Sequence, residues 1–390
     1  MLALKLALRN ILGAGLRTWL NVIVLSFSFV VIIWHKGLLD GWDHQAKRDM
    51  IKWEIAGGQY WQEKYDPYDP FSLTDAHDKI PQTLKTNIAN NEITPILITQ
   101  ATLYPQGRMQ SILIKGIDPD QSILEIPSSM LKSENGEIPA IIGMAMSKST
   151  RLKVGDFVTL RWRDKNGTFD ATEIKIAGVF DTNVPTVEVG QVWIPLKQLQ
   201  EMMLLPDEAT LFVCRENTDE FKDIPGWKFK SQQALLSDLN EILKSKTLAG
   251  MVIWAILLML AMLAIFDTQV LSIFRRQKEI GTYIALGMTR KQVVALFTTE
   301  GAMHSVLAAI VGAVYGYPLL AMQAINGITM PIESKDYGMT FANTLYPVYS
   351  FGLVLSTVII VLFITIIVSY WPAKRIAKMN PTDALRGRAQ

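Results

Sequence analysis

Residues 248–292 read LAGMVIWAILLMLAMLAIFDTQVLSIFRRQKEIGTYIALGMTRKQ, a long apolar run that ends in a cluster of basic residues. With Asp267 as its only charge before Arg275, the run is long enough to cross about 30 Å of hydrocarbon as a helix. Three more stretches meet the same test, at 19–39, 293–325 and 348–371. The totals agree. The chain has 390 residues, of which 49% are hydrophobic, and its mean hydropathy of +0.21 exceeds what a soluble enzyme of this length shows.

The net charge of +2 hides an uneven distribution. Residues 40–245 hold about 30 acids against about 22 bases, and the rest of the chain is strongly basic, which implies two compartments. Lys5, Arg9 and Arg17 precede the first span without an acid, and Arg275, Arg276, Lys278, Arg290 and Lys291 fill the loop after the second. Lys374, Arg375, Lys378, Arg386 and Arg388 follow the fourth, whereas the loop between spans three and four has no net positive charge. The positive-inside rule then places both termini and the middle loop in the cytoplasm. Because the run at 19–39 is too long for a signal peptide and no small-residue cleavage site follows it, it reads as an uncleaved anchor.

The expected fold is an α-helical membrane protein with four transmembrane helices and a mixed α/β extracytoplasmic domain inserted between the first and second. Residues 1–18 read as a cytoplasmic amphipathic helix, and 19–39, 248–274, 293–325 and 348–371 as the spans. The extracytoplasmic domain covers 40–245 and a short external loop covers 327–347, while 275–292 and 372–390 are the cytoplasmic loop and tail. Within 40–245, alternation predicts strands at 156–163, 173–180, 191–194 and 209–214 and helices at 196–203 and 231–243. Cys214, the only cysteine, excludes an internal disulfide and reads as a buried, inert thiol.

The middle loop has its own local grammar. Ile280, Tyr283 and Ile284 recur at helical spacing, Gly287 stands where a C′ glycine closes a helix, and Thr289 with Gln292 forms a capping box. A short helix with an exposed apolar stripe and basic flanks is suited to dock onto a cytoplasmic partner. The run Arg275-Arg276-Gln277-Lys278-Glu279-Ile280-Gly281, followed by Ala285-Leu286-Gly287-Met288-Thr289-Arg290, resembles the signature of the MacB/FtsX/lipoprotein-releasing permease family. Glu300-Gly301 and the tail Asn380-Pro381-Thr382-Asp383-Ala384-Leu385-Arg386 are similar to further motifs of that family. So are Gly116-Ile117-Asp118-Pro119, Ile141-Ile142-Gly143, Leu152-Lys153-Val154-Gly155-Asp156 and Ile176-Ala177-Gly178-Val179-Phe180, and Gly58-Gln59-Tyr60-Trp61 resembles the lipoprotein-releasing branch.

The resemblance implies an ABC transporter permease of a bacterial inner membrane, one that is not itself an enzyme. Its middle loop would be a coupling helix seated on a cytoplasmic ABC ATPase dimer, through Arg276, Glu279, Ile280, Gly281, Ala285, Leu286 and Gly287. It further implies mechanotransmission, in which movement of the membrane helices drives the outer domain. No G-x-x-x-x-G-K-[ST] occurs, so this chain is expected to carry no cofactor, with ATP and Mg held by the partner. Other expected partners are a second permease copy or a paralogue, and a periplasmic protein or lipoprotein; nothing points to nucleic acid. Lipoprotein or lipid release from the outer leaflet is the leading substrate reading, ahead of MacB-like export of peptides or drugs and FtsX-like control of a periplasmic hydrolase. A membrane-anchored sensor is the contrasting class, but the cytoplasmic segments are too small for an output domain.

Several residues carry two readings each. Asp267 is an intramembrane carboxylate, hence either a proton-coupling group or a residue that hydrogen-bonds between helices or is solvated at the inner interface. Glu300, four residues before His304, suits a proton pair or half a metal site, and no cluster supports a metal. Ala308, Gly312 and Gly316 form a small-residue stripe for close helix packing, within the chain or against a second permease. The aromatic run Trp53, Tyr60, Trp61, Tyr65, Tyr68 and Phe71 serves core and stalk packing or contacts acyl chains or a partner protein. For lipid extraction, Val30, Val31, Trp34 and Leu38 on span one and Leu248, Val252 and Ala255 on span two are the expected crevice lining.

Overall fold

The computed structural model describes residues 16–132, 136–216, 223–329 and 344–376. The expected amphipathic helix at the N-terminus lies almost wholly outside these residues, as do most of the 327–347 loop and the tail motif from Asn380. The described residues fall into two compact units, one built from 16–43, 243–329 and 344–376, the other within 44–242.

The first helix, α1 (Leu16–Met50), continues into a π-helical turn at Ile51–Ile55. The β-rich unit follows. Its elements are β1 (Gly58–Gln62), β2 (Asp78–Lys79), α2 (Gln82–Ala89), β3 (Ile93–Leu103), β4 (Gln110–Ile117), β5 (Ile138–Gly143) and α3 (Met144–Thr150). Then come β6 (Phe157–Arg163), β7 (Phe169–Phe180), β8 (Gln191–Pro195), α4 (Leu196–Met203), β9 (Glu208–Ala209), β10 (Leu211–Cys214) and β11 (Trp227–Ser231). Nine strands make one sheet in the order β11-β1-β10-β3-β4-β8-β5-β7-β6. β3 also pairs with β6 through Ala101, Thr102 and Leu103, closing six of the strands into a ring.

Inside that ring sit Leu103, Ile114, Ile142, Leu160, Ile174 and Ile194. Along β6 the side chains of Val158, Leu160 and Trp162 point inward and their neighbours outward, the period-2 pattern of a strand with one wet face. A second core holds Ile98, Ile117, Ile141, Phe180 and Trp193. The domain expected as mixed α/β is therefore dominated by its sheet. Expected strands 156–163 and 191–194 match β6 and β8 closely, and 173–180 is the buried half of a longer β7. The expected helix 196–203 matches α4. The expected helix 231–243 is interrupted at Leu236, with a single turn at Gln232–Leu235 capped by Ser231 before the next helix starts.

The other unit is helical: α5 (Ser237–Arg275), α6 (Gln277–Ala285), α7 (Arg290–Asn326) and α8 (Phe351–Ile376), together with the first part of α1. Four helices, α1, α5, α7 and α8, are long and apolar enough to cross a membrane. The last begins at Phe351 rather than at the expected 348. Ser350 Oγ accepts the Leu353 N–H at 3.2 Å as an N-cap, which sets the helix start at Phe351. Val22, Leu25, Phe29 and Ile32 of α1 pack with Ala308 of α7 and with Val361 and Val368 of α8.

The stripe Ala308, Gly312 and Gly316 is buried against α1 of the same chain. A Cβ on Gly312 would sit 3.3 Å from Ser26 O, and one on Gly316 would sit 2.6 Å from Val30 Cγ2. The absence of side chains lets the two helices approach to backbone distance.

Candidate functional site: a braced corner between two membrane helices

At the end of α5 the chain turns through Arg276 into α6 and back into α7, and local chemistry dictates each turn. Gly287 adopts φ +97°, a left-handed conformation that costs a glycine little. Its N–H donates to Ile284 O at 3.0 Å, and the Met288 N–H donates to Tyr283 O at 3.0 Å. This is a Schellman closure of α6. One residue later Thr289 N donates to Gln292 Oε1 at 2.8 Å, while Gln292 N donates to Thr289 Oγ1 at 3.3 Å, and this capping box starts α7. Both devices stand where the sequence predicts them.

Arg276 ties the corner together. Its Nη1 donates to both Glu300 carboxylate oxygens, at 2.7 and 2.9 Å, and its Nε donates to Glu279 Oε2 at 2.7 Å. The guanidinium also lies 4.9 Å from the centre of the Phe297 ring. Burial works against this charge, but Glu300 and Glu279 more than offset it, so the Arg276 pKa stands above its ordinary value. Glu300 therefore faces Arg276 rather than forming a carboxylate–imidazole pair with His304, whose Nδ1 donates to the Glu300 carbonyl at 2.7 Å. Asp267 is exposed on α5 and has no ion-pair partner among the described residues.

The apolar side of α6 differs from the expected exposed stripe. Ile280 is 2% exposed and packs with Val293, Phe297 and Ala373, while Tyr283 and Ile284 are partly buried against the same cluster. Gly281 is buried as well. The reason is periodicity: Ile280, Tyr283 and Ile284 share one helical face, and that face is the one turned to α7 and α8. The opposite face leaves Glu279, Thr282, Ala285, Leu286 and Gly287 open, with Leu286 78% exposed. Phe297 and Ala373, absent from the sequence-based site, complete the seat for Ile280.

The expected crevice residues do not form one lining. Val30 is buried with Ile33, Leu320 and Leu353, and Trp34 packs partly against that cluster, so these two α1 residues face α7 and α8. Val31 and Leu38 are half-buried. Leu248, Val252 and Ala255 instead lie on the exposed face of α5. A Cβ on Gly250 would come 2.5 Å from Leu39 Cδ1, so α1 and α5 are closed on each other at that level. Apolar character groups the two sets, but hydropathy does not specify which way a helix is rotated.

In the β-rich unit, Trp53 stacks on Phe180 and Trp61 meets Tyr65 edge to face, while Tyr60 is buried. These four aromatics serve the core, whereas Tyr68 and Phe71 are exposed. Cys214 is buried, and burial pushes its thiol up to about 12.

Residues 251–381, which include α6, the whole of α7 and α8 and most of α5, match the family described as FtsX-like permease C-terminal. An uncharacterised ABC transporter permease of Methanocaldococcus jannaschii is 23% identical over 270 residues, 65% of this chain and 63% of that protein. The macrolide export ATP-binding/permease protein MacB of Wolinella succinogenes is 24% identical over 163 residues, 42% of this chain and 23% of that protein. The lipoprotein-releasing system transmembrane protein LolC of Xylella fastidiosa is 22% identical over 330 residues, 75% of this chain and 76% of that protein. The match thus spans less than two thirds of the first two relatives. Residues 251–381 carry an FtsX-like permease domain, and the chain as a whole is similar to ABC transporter permeases of the MacB and LolC type.

Proposed function

We propose that this permease takes its power from a separate cytoplasmic ATPase docked on the outward face of α6, and uses it to release lipidated proteins from the outer leaflet of a bacterial inner membrane. The observation that carries the reading is the corner itself. α6 is anchored on one side by Ile280 and pinned at its start by Arg276, so Thr282, Ala285 and Leu286 are presented on a rigid support. A push on α6 is then delivered to α5 and α7 rather than dissipated in a loop.

In this reading the termini are cytoplasmic, and the β-rich unit stands on the other side of the membrane. α1 continues from residue 40 to Met50, and α5 begins at Ser237, well before its apolar run. Each polar extension adds about 16 Å of helix beyond the apolar run. Helical extensions of this kind are what a mechanism driven by tilting of the membrane helices would need. The exposed apolar face of α5, with Leu248, Val252 and Ile256, replaces the expected crevice as the surface along which acyl chains leave. That path must stay apolar because each CH₂ exposed to water costs about 0.8 kcal/mol.

Leu286→Asp tests the docking face without touching the core. Full burial of a leucine contributes about 1.5–3 kcal/mol, so its loss should cut ATPase co-purification by tenfold or more. Unchanged co-purification with a folded permease overturns the docking role. For the substrate, a photo-crosslinker at Val252 should capture lipoprotein in an ATP-sensitive manner. Capture of unlipidated peptides alone points instead to export of the MacB kind.

A further inference from the structure

We infer that a cleft between the basic ends of α7 and α8 binds one anionic phospholipid, through its phosphate, in the leaflet on that side of the membrane. The cleft has a volume of about 700 Å³. Arg290 and Lys291 in the first turn of α7 face Lys374 of α8 across it, and no acid forms an ion pair with any of the three among the described residues. The dipole of a long helix adds positive potential at Arg290. Lys374 Nζ is 5.5 Å from the centre of the ring of Tyr370, which also lines the cleft.

A second observation points to a ligand. Thr298 lines the cleft, and its Oγ1 is buried without a hydrogen-bond partner among the described residues. Its neighbour Thr299 takes the usual route, donating to Ala295 O at 2.7 Å. A buried hydroxyl left unpaired is costly, and turning its χ1 toward the cleft would let a phosphate oxygen there accept its proton. The cations and the hydroxyl therefore select phosphate chemistry.

The surroundings select a lipid over a free anion. Val294 and Ala295 form an apolar wall. Phe363, Ile367 and Tyr370 are exposed on α8 at successive spacings of four and three, and the same stripe ends at Lys374. An acyl chain lying along that stripe brings its phosphate to the three cations, and basic pockets between membrane helices suit such headgroups. The inference requires only that α7 and α8 cross a membrane. Neither ATPase docking nor lipoprotein release enters it.

The test uses the full chain in nanodiscs holding equal phosphatidylglycerol and phosphatidylcholine, with retained lipids counted by native mass spectrometry. Wild type should retain phosphatidylglycerol preferentially. Lys374→Gln, and separately Arg290→Gln, should each lower the retained ratio about fivefold, the equivalent of one cation at the surface. Lys374→Arg should keep the ratio, and Thr298→Val should lower it at an unchanged melting temperature. Equal retention in wild type overturns the inference, as does a ratio that ignores the charge variants. Displacement of the lipid by millimolar inorganic phosphate assigns the cleft to a free anion instead. Loss of ATPase co-purification in the charge variants, with the lipid ratio unchanged, assigns it to a protein partner and overturns the lipid.

Discussion

Two desolvated cations, one in each unit, have been given opposite treatment. Arg276 in the helical corner meets two carboxylates at hydrogen-bond distance and an aromatic face, and its pKa is raised. Lys115 on β4 lies 3.8 Å from Glu54 Oε1 and 5.0 Å from the centre of the Trp193 ring, its register partner on β8. Burial lowers its pKa, and Glu54 restores only part of the loss. A planar guanidinium can satisfy several acceptors at once, whereas an ammonium over a ring gains one weak contact and one distant charge. The first arrangement locks a joint. The second is a cost that the surrounding sheet absorbs.

The lock should break hard from one side and softly from both. Glu300→Ala leaves a guanidinium whose side chain is 18% exposed without its main countercharge, which should cost about 3–5 kcal/mol. Arg276→Met with Glu300→Leu removes both charges and fills the volume, and should cost less than the single change. Apparent melting temperatures in detergent distinguish the two. If the double variant melts no higher than the single one, the pair is not what holds the corner.

The next effect in size separates the two faces of α6. Ile280→Ala opens a cavity beside Phe297 and should cost about 2–5 kcal/mol. Leu286→Ala, on the open face, should change stability by less than about 0.5 kcal/mol. Equal destabilisation would mean that the outward face is covered within the chain, and would remove the docking surface.

Much of this corner was legible because it is local. Gly287, Thr289 and Gln292 act within a few residues of themselves, so their spacing carried the Schellman closure and the capping box. Long apolar runs declared four helices for the same reason. The Arg276–Glu300 pair joins residues 24 apart, and no periodicity links them. The direction in which α6 faces was also hidden, because an amphipathic stripe does not say what covers it. In the β-rich unit, β6 was visible through its alternation, but β3 and β5 are buried on both faces and show none. The closure of β3 onto β6 lies further from the sequence still, since a single strand divides its edge between β10 and β6.

A further, modest effect concerns Lys115 and depends on pH. Lys115→Met removes a desolvated ammonium from beside Trp193 and keeps the apolar stem. Glu54, left behind, still accepts from Thr186 Oγ1 at 2.6 Å, and its side chain is 24% exposed, so it does not become a buried orphan. The substitution should therefore be neutral or stabilising by about 1 kcal/mol at pH 7. The sign of the pH effect follows from linkage. Lys115 has a folded pKa below its unfolded value of about 10.4. Between the two values the unfolded chain binds more protons than the native one, so native stability rises with pH in that window. Below the folded pKa the full cost of burying the charge is present, and above the unfolded pKa it is gone. Measured as the difference from Lys115→Met, in which other titrations cancel, wild-type stability should climb as the pH approaches 10.4. A flat difference would mean that Glu54 and the Trp193 ring support the ammonium as well as water does, and that the two cations are treated alike after all.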